Sequence, residues 1–128
     1  MNIFNILIPK QDLTYLNGSD KMDKAVEFLL ASGFTAIPVV DEVGRLEGIV
    51  SEGDFLRVAI QHGCDEMKNM TVRDIVHLSV DDFVLNSTDT DKIMDKIIDR
   101  NFLSVIDDRN IFIGIITRRS VMLQLKRK

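Results

Sequence analysis

Two stretches of this 128-residue chain follow one plan, and that duplication limits the possible folds more than any other feature. Met22, Ala25, Val26, Leu29 and Leu30 are spaced i, i+3, i+4, i+7, i+8, which gives a helix one apolar stripe. Ser19 or Asp20 is placed to cap that helix. Ile93, Met94, Ile97 and Ile98 form a similar stripe behind Asn86-Ser87-Thr88-Asp89, and Leu30 and Ile98 stand 68 residues apart. A hairpin pattern follows each helix. Thr35 to Asp41 and Leu46 to Ser51 flank Glu42-Val43-Gly44-Arg45, while Asn101 to Asp107 and Ile111 to Thr117 flank Asp108-Arg109-Asn110. Gly48 and Gly114 are 66 residues apart, so the second copy is two residues shorter between helix and strand.

A second helix ends each copy, at about Asp54 to Gln61 and Arg118 to Lys126. Phe55, Val58 and Ala59 are apolar in one, and Val121, Met122 and Leu125 in the other. The lead-ins repeat as well. Asn2-Ile3-Phe4-Asn5-Ile6-Leu7 is similar to Thr71-Val72-Arg73-Asp74-Ile75-Val76, with Thr71 placed as an N-cap. The apolar start through Pro9 reads as a short amphipathic helix, and the polar stretch from Gln61 to Asn69 reads as a linker. The predicted fold class is α+β (α/β): two tandem β-α-β-β-α repeats in a pseudo-twofold arrangement. Residues 1–63 form the first repeat with an N-terminal helix, 64–70 the linker and 71–128 the second repeat. Each half is close to the lower size limit for independent stability. Halves that cover each other's sheets would leave clefts where they meet, and such clefts are common ligand sites.

Composition narrows the function. The net charge of −4 argues against nonspecific nucleic-acid binding, which needs positive charge to displace phosphate counterions. The single cysteine, Cys64, excludes an internal disulfide framework and fits a reducing cytoplasm. The N-terminus lacks the basic region of a signal peptide, and no apolar run approaches the roughly 18 residues of a membrane span. His62, Cys64 and Asp65 lack a paired metal-ligand motif, and His77 is isolated, so no metal is expected. No Ser-His-Asp or Cys-His set and no phosphate-cradling glycine loop is present; neither an enzyme nor a cofactor is expected.

The repeated order of strand, helix, hairpin and helix resembles the CBS domain, named for cystathionine β-synthase. Ile37-Pro38-Val39-Val40-Asp41 in the first hairpin strand and Gly48-Ile49-Val50-Ser51-Glu52-Gly53-Asp54 leading into the last helix carry the likeness. Two in tandem resemble a CBS pair, or Bateman module. The resemblance implies a regulatory ligand that contains adenosine: AMP, ADP, ATP, S-adenosylmethionine or cyclic di-AMP. It also implies two clefts, each combining the Ser/Thr-x-x-Asp of one repeat with early strands of the other, the Asp on the ribose hydroxyls and the Ser or Thr near phosphate.

Carried onto this chain, the likeness implies two unequal sites. The first would use Ser51 and Asp54, with Phe102, Leu103 and Ser104 and the stretch around Phe83 as its other wall. The second would use Thr117, Arg118 and Arg119, with Thr14, Thr35, Ala36 and Pro38 opposite. Ser120 stands where the family has its ribose Asp. Thr35-Ala36-Ile37-Pro38 with Thr117-Arg118-Arg119 is similar to small stand-alone bacterial CBS pairs that bind cyclic di-AMP; those often carry a Lys where this chain has Asp12. Adjacent helical residues point about 100° apart, so one arginine at most faces such a cleft squarely, and Arg119 is favoured. Each feature also has a plainer role. Asp54 could be the N-cap of its helix, Ser51 and Thr117 strand-end hydroxyls, and the arginines solvated charge. The expectation is a cytoplasmic regulatory pair, homodimeric, that signals to an effector protein. The alternative is a ligand-free interaction or dimerisation scaffold.

Overall fold

The computed structural model describes residues 2–127. Its elements run β1 (Leu7–Pro9), β2 (Leu16–Asn17), α1 (Met22–Ser32), β3 (Ala36–Val40), β4 (Leu46–Ser51), α2 (Glu52–His62), α3 (Cys64–Met67), β5 (Phe83–Leu85), α4 (Thr90–Ile97), β6 (Phe102–Ile106), β7 (Phe112–Thr117) and α5 (Arg118–Lys126). From β2 to α2 and from β5 to α5 the order is β-α-β-β-α, so both repeats have the expected architecture.

The compact units are drawn differently from the sequence repeats. One unit is residues 14–78; the other joins the N-terminal stretch through Leu13 to everything from Ser79 onward. Each lead-in therefore packs with the sheet of the other repeat.

In the 14–78 unit the sheet order is β2-β3-β4, with β2 parallel and β4 antiparallel to β3. Met22, Ala25 and Leu29 from α1 and Phe55 and Val58 from α2 bury the helical stripes against Ile37, Val39 and Val50 of the sheet. The lead-in from Thr71, continuing to His77, closes this core with Val72, and the last linker residue, Met70, replaces the expected side-chain cap. The Met22 amide donates to the Met70 carbonyl at 3.1 Å, whereas Asp20 instead accepts from the Asn17 amide. The N-cap position is Lys21, with no side-chain bond. The expected linker is also more ordered than its polarity suggests. Gly63 turns the chain at φ 82°, α3 follows, and Met67 and Met70 pack against the core.

In the other unit the sheet order is β1-β7-β6-β5. The expected N-terminal amphipathic helix is a single 3₁₀ turn, Ile3–Asn5, followed by a strand. Ile3 and Ile6 are buried with Val84, Ile93, Ile97, Leu103, Val105, Ile116 and Val121. Sheet pairing wins over the helical pattern here because β1 finds a partner, with Ile8 opposite Ile115.

The same docking occurs in both units at a glycine. His77 and Ile49 form an antiparallel bridge, their amides and carbonyls exchanging bonds of 2.9 and 3.2 Å. A Cβ on Gly48 would overlap the His77 carbonyl oxygen, and one on Gly114 would overlap that of Ile8. Glycine is required at both positions so that a lead-in can pair with the strand. His77 and Ile8 thus hold equivalent places in the two units.

Candidate functional site

Both Ser/Thr-x-x-Asp/Ser motifs cap a helix. Ser51 is the N-cap of α2, and Asp54 sits three residues on, so the carboxylate is the returning half of a capping box rather than the cap itself. Ser51 Oγ accepts from the Asp54 amide at 3.3 Å, and Asp54 Oδ2 accepts from the Ser51 amide at 2.8 Å. Thr117 and Ser120 repeat the arrangement on α5. Thr117 Oγ1 accepts from the Ser120 amide at 2.9 Å, and Ser120 Oγ stands 3.0 Å from the Thr117 amide. A serine meets the capping need of this position, so the loss of the Asp leaves helix initiation intact.

Asp54 has little capacity left. Besides the Ser51 amide, its Oδ2 accepts from Ser51 Oγ at 3.0 Å and from His77 Nε2 at 3.0 Å. Oδ1 accepts from Arg57 at 3.2 Å. The residue is 8% exposed. Burial pushes its pKa up, but the Ser51 amide and hydroxyl and the His77 ring together outweigh burial and hold it below the ordinary Asp value. Asp54 therefore stands ionised and fully bonded within its own unit. His77, read as isolated in the sequence, is the missed residue here. It lies 23 positions from Asp54, beyond any local spacing rule.

The strand registers bring several expected residues together within each unit. Ala36 pairs with Ser51, and the Glu52 amide donates to the Thr35 carbonyl at 2.9 Å. Thr35 and Ala36 thus lie beside the start of α2, with Thr35 exposed and Pro38 buried. Thr14 precedes β2, whose Leu16 pairs in parallel with Val39 of β3. It lines an open groove of about 400 Å³ with Lys24, Glu27, Phe28, Ala31 and Ser32 of α1. In the other unit Phe102 pairs with Thr117 and is half-buried. Leu103 is a core residue with no exposed surface, so its side chain is committed to packing. Ser104 is equally buried, and its hydroxyl has no partner among the described residues.

The arginine pair divides. Arg118 Nε donates to the Ile97 carbonyl at 3.2 Å and its Nη2 to the Ile98 carbonyl, so this guanidinium satisfies the C-terminal end of α4. Arg119 is exposed and makes no hydrogen bond or ion pair to another described residue. The first turn of α5 contains no acidic residue, whereas that of α2 contains Glu52 and Asp54. The two helix starts therefore have opposite electrostatic character, and only that of α5 favours an anion. Among the described residues no cluster suited to a metal ion occurs, and no helix is long and apolar enough to cross a membrane.

Comparison with known proteins agrees with this architecture. Residues 5–61 match the family model of the CBS domain. The cyclic di-AMP receptor B of Bacillus subtilis (strain 168) is 24% identical over 127 residues, spanning 94% of this chain and 84% of that protein. The crystal structure of CbpB in complex with c-di-AMP superposes with a TM-score of 0.93 at 26% identity, covering 99% of this chain and 85% of that one. CBSX2 in complex with AMP superposes with a TM-score of 0.80 at 28% identity, covering 98% of both chains. With the β-α-β-β-α order present twice and a CBS-domain match over residues 5–61, the chain has the fold of the tandem CBS-domain proteins it is similar to.

Proposed function

We propose that this chain is a regulatory adenine-nucleotide sensor whose preferred ligand is cyclic di-AMP. The observation that carries this reading is the contrast between the helix starts. Arg119, with no partner among the described residues, stands at an α5 terminus whose first turn has no acidic residue, while the carboxylate at α2 is already bonded on both oxygens. A ligand rich in phosphate suits the first. A planar guanidinium can take two phosphate oxygens at once, and the α5 N-terminus adds favourable potential. In this reading Arg119 takes phosphate and Thr117 lies near it, with Thr35, Ala36, Pro38 and Thr14 as further candidate ligand residues. Ser51 and Asp54 belong to a weaker second site. The relatives named for cyclic di-AMP and AMP support an adenine ligand. The output is a partner protein, reached because ligand binds one conformation of the pair better than another.

A thermal-shift panel of AMP, ADP, ATP, S-adenosylmethionine and cyclic di-AMP tests the reading. A ligand at 100 times its dissociation constant adds about 2.7 kcal/mol to stability. For a chain of this size that raises Tm by about 2–6 °C. Cyclic di-AMP is expected to give the largest shift. No shift with any compound at millimolar concentration sinks the sensor reading.

A ligand-free dimerisation scaffold is the second reading, favoured by exposed apolar side chains on the helices. Leu30, Leu56 and Ile60 stand out in one unit, and Ile98, Met122 and Leu125 in the other. The homodimer belongs to both readings, so ligand response is what separates them.

A further inference from the structure

The Asp54–His77 pair has no counterpart in the other unit, and the duplication makes that difference informative. Ser120 stands in the place of Asp54, since both residues complete the capping box of the helix that follows β4 or β7. Ile8 stands in the place of His77, since each pairs with the strand beside the obligatory glycine. One unit has both the acid and the histidine; the other has neither. The backbone role of the position is met equally by Ile8 and His77, so docking of the lead-in does not need an imidazole. What the imidazole adds is the bond of 3.0 Å to Asp54 Oδ2.

That bond matters for recognition. A carboxylate that holds a ribose must accept from two vicinal hydroxyls, which requires free lone pairs on accessible oxygens. Capping alone commits only part of Oδ2. With His77 added, Oδ2 has three donors, and Arg57 is on Oδ1. The His77 side chain is 52% exposed, so it is free to be replaced or to swing aside without opening the core.

We propose that His77 is a specificity residue that occupies Asp54 in place of a ribose, so that this half of the chain discriminates against mononucleotides and leaves cyclic di-AMP as the effective ligand. The inference rests on the nucleotide-sensor reading above. It assigns His77 the role of an internal competitor: a ribose at Asp54 must first displace the imidazole.

Calorimetric titration of four variants with AMP and with cyclic di-AMP is the test. His77→Ala is expected to tighten AMP binding about tenfold, the order for releasing one charge-assisted hydrogen bond. His77→Gln keeps an Nε2 donor at similar reach and is expected to stay at the wild-type AMP affinity. In Asp54→Ala/His77→Ala the gain is expected to vanish, which a purely structural role for His77 would not produce. Asp54→Ala alone is expected to show no gain. Circular dichroism of each variant reports folding, and the exposed side chain and the retained backbone bridge to Ile49 favour folded protein. Unchanged AMP affinity in folded His77→Ala overturns the proposal, and so does a gain that persists without Asp54. Cyclic di-AMP affinity of the wild type judges the sensor reading separately. If it binds while His77→Ala gains nothing for AMP, only the His77 role falls. If it fails to bind while His77→Ala gains for AMP, the role stands and the choice of ligand falls.

Discussion

At the scale of single residues, Asp54 couples local structure to ionisation. Its carboxylate accepts from the Ser51 amide and hydroxyl and from His77, and its pKa lies below the ordinary value. A carboxylate with a depressed folded pKa stabilises the fold above its unfolded pKa, near 4, and that contribution is lost as pH falls through the lower folded value. Asp54→Asn is therefore expected to cost about 1 kcal/mol at pH 7, the scale of a helix cap. The gap between wild type and variant is expected to shrink below about pH 4. Urea unfolding at a series of pH values checks this; a gap independent of pH down to 3 contradicts the charged role. The sequence marked Ser51 and Asp54 through their spacing, but not which of the two caps. Nor did it mark His77, whose bond to Asp54 depends on a lead-in docking across many residues.

At the scale of elements, helices and hairpins were legible because burial imposes periods of 3.6 and 2 on the apolar residues. The stripes of α1 and α4 and the hairpin strands β3, β4, β6 and β7 lie where those periods place them. Even the turn geometry repeats: Asn110 takes a left-handed φ of 67° in the turn where the first hairpin has Gly44. The N-terminal strand was not legible, since Ile3, Ile6 and Leu7 fit a helix equally well. A signal for it existed in the matched strand glycines, Gly48 and Gly114, because a strand glycine often marks a close backbone approach. The contact between α5 and the end of α4 was equally hidden. Arg118 and Arg119 look alike in the sequence, yet one bonds the carbonyls of Ile97 and Ile98 while the other has no partner among the described residues. Arg118→Ala is expected to lower stability by about 1 kcal/mol, from the two lost bonds. Arg119→Ala is expected to leave stability within about 0.5 kcal/mol. Chemical denaturation of the two variants distinguishes them, and equal losses would contradict the assignment.

At the scale of the whole chain, duplication set the architecture, and divergence between the copies set the chemistry. The compact units exchange their lead-ins: β1 joins the sheet of the second sequence repeat, and His77 bridges Ile49 beside the sheet of the first. The candidate residues for an adenine nucleotide were read from a family likeness; the composition alone named no ligand. Within the units, the structure separates a capping carboxylate that is already bonded from an arginine that is not. The central claim is that the Arg119 side binds a phosphate-rich adenine ligand. Isothermal titration of cyclic di-AMP into wild type and Arg119→Ala tests it most directly. Wild type is expected to bind with saturable heat, and Arg119→Ala to bind at least about tenfold more weakly, the order for losing a charge-assisted phosphate contact. Equal affinity of the two proteins, or no binding to wild type at millimolar ligand, would contradict it.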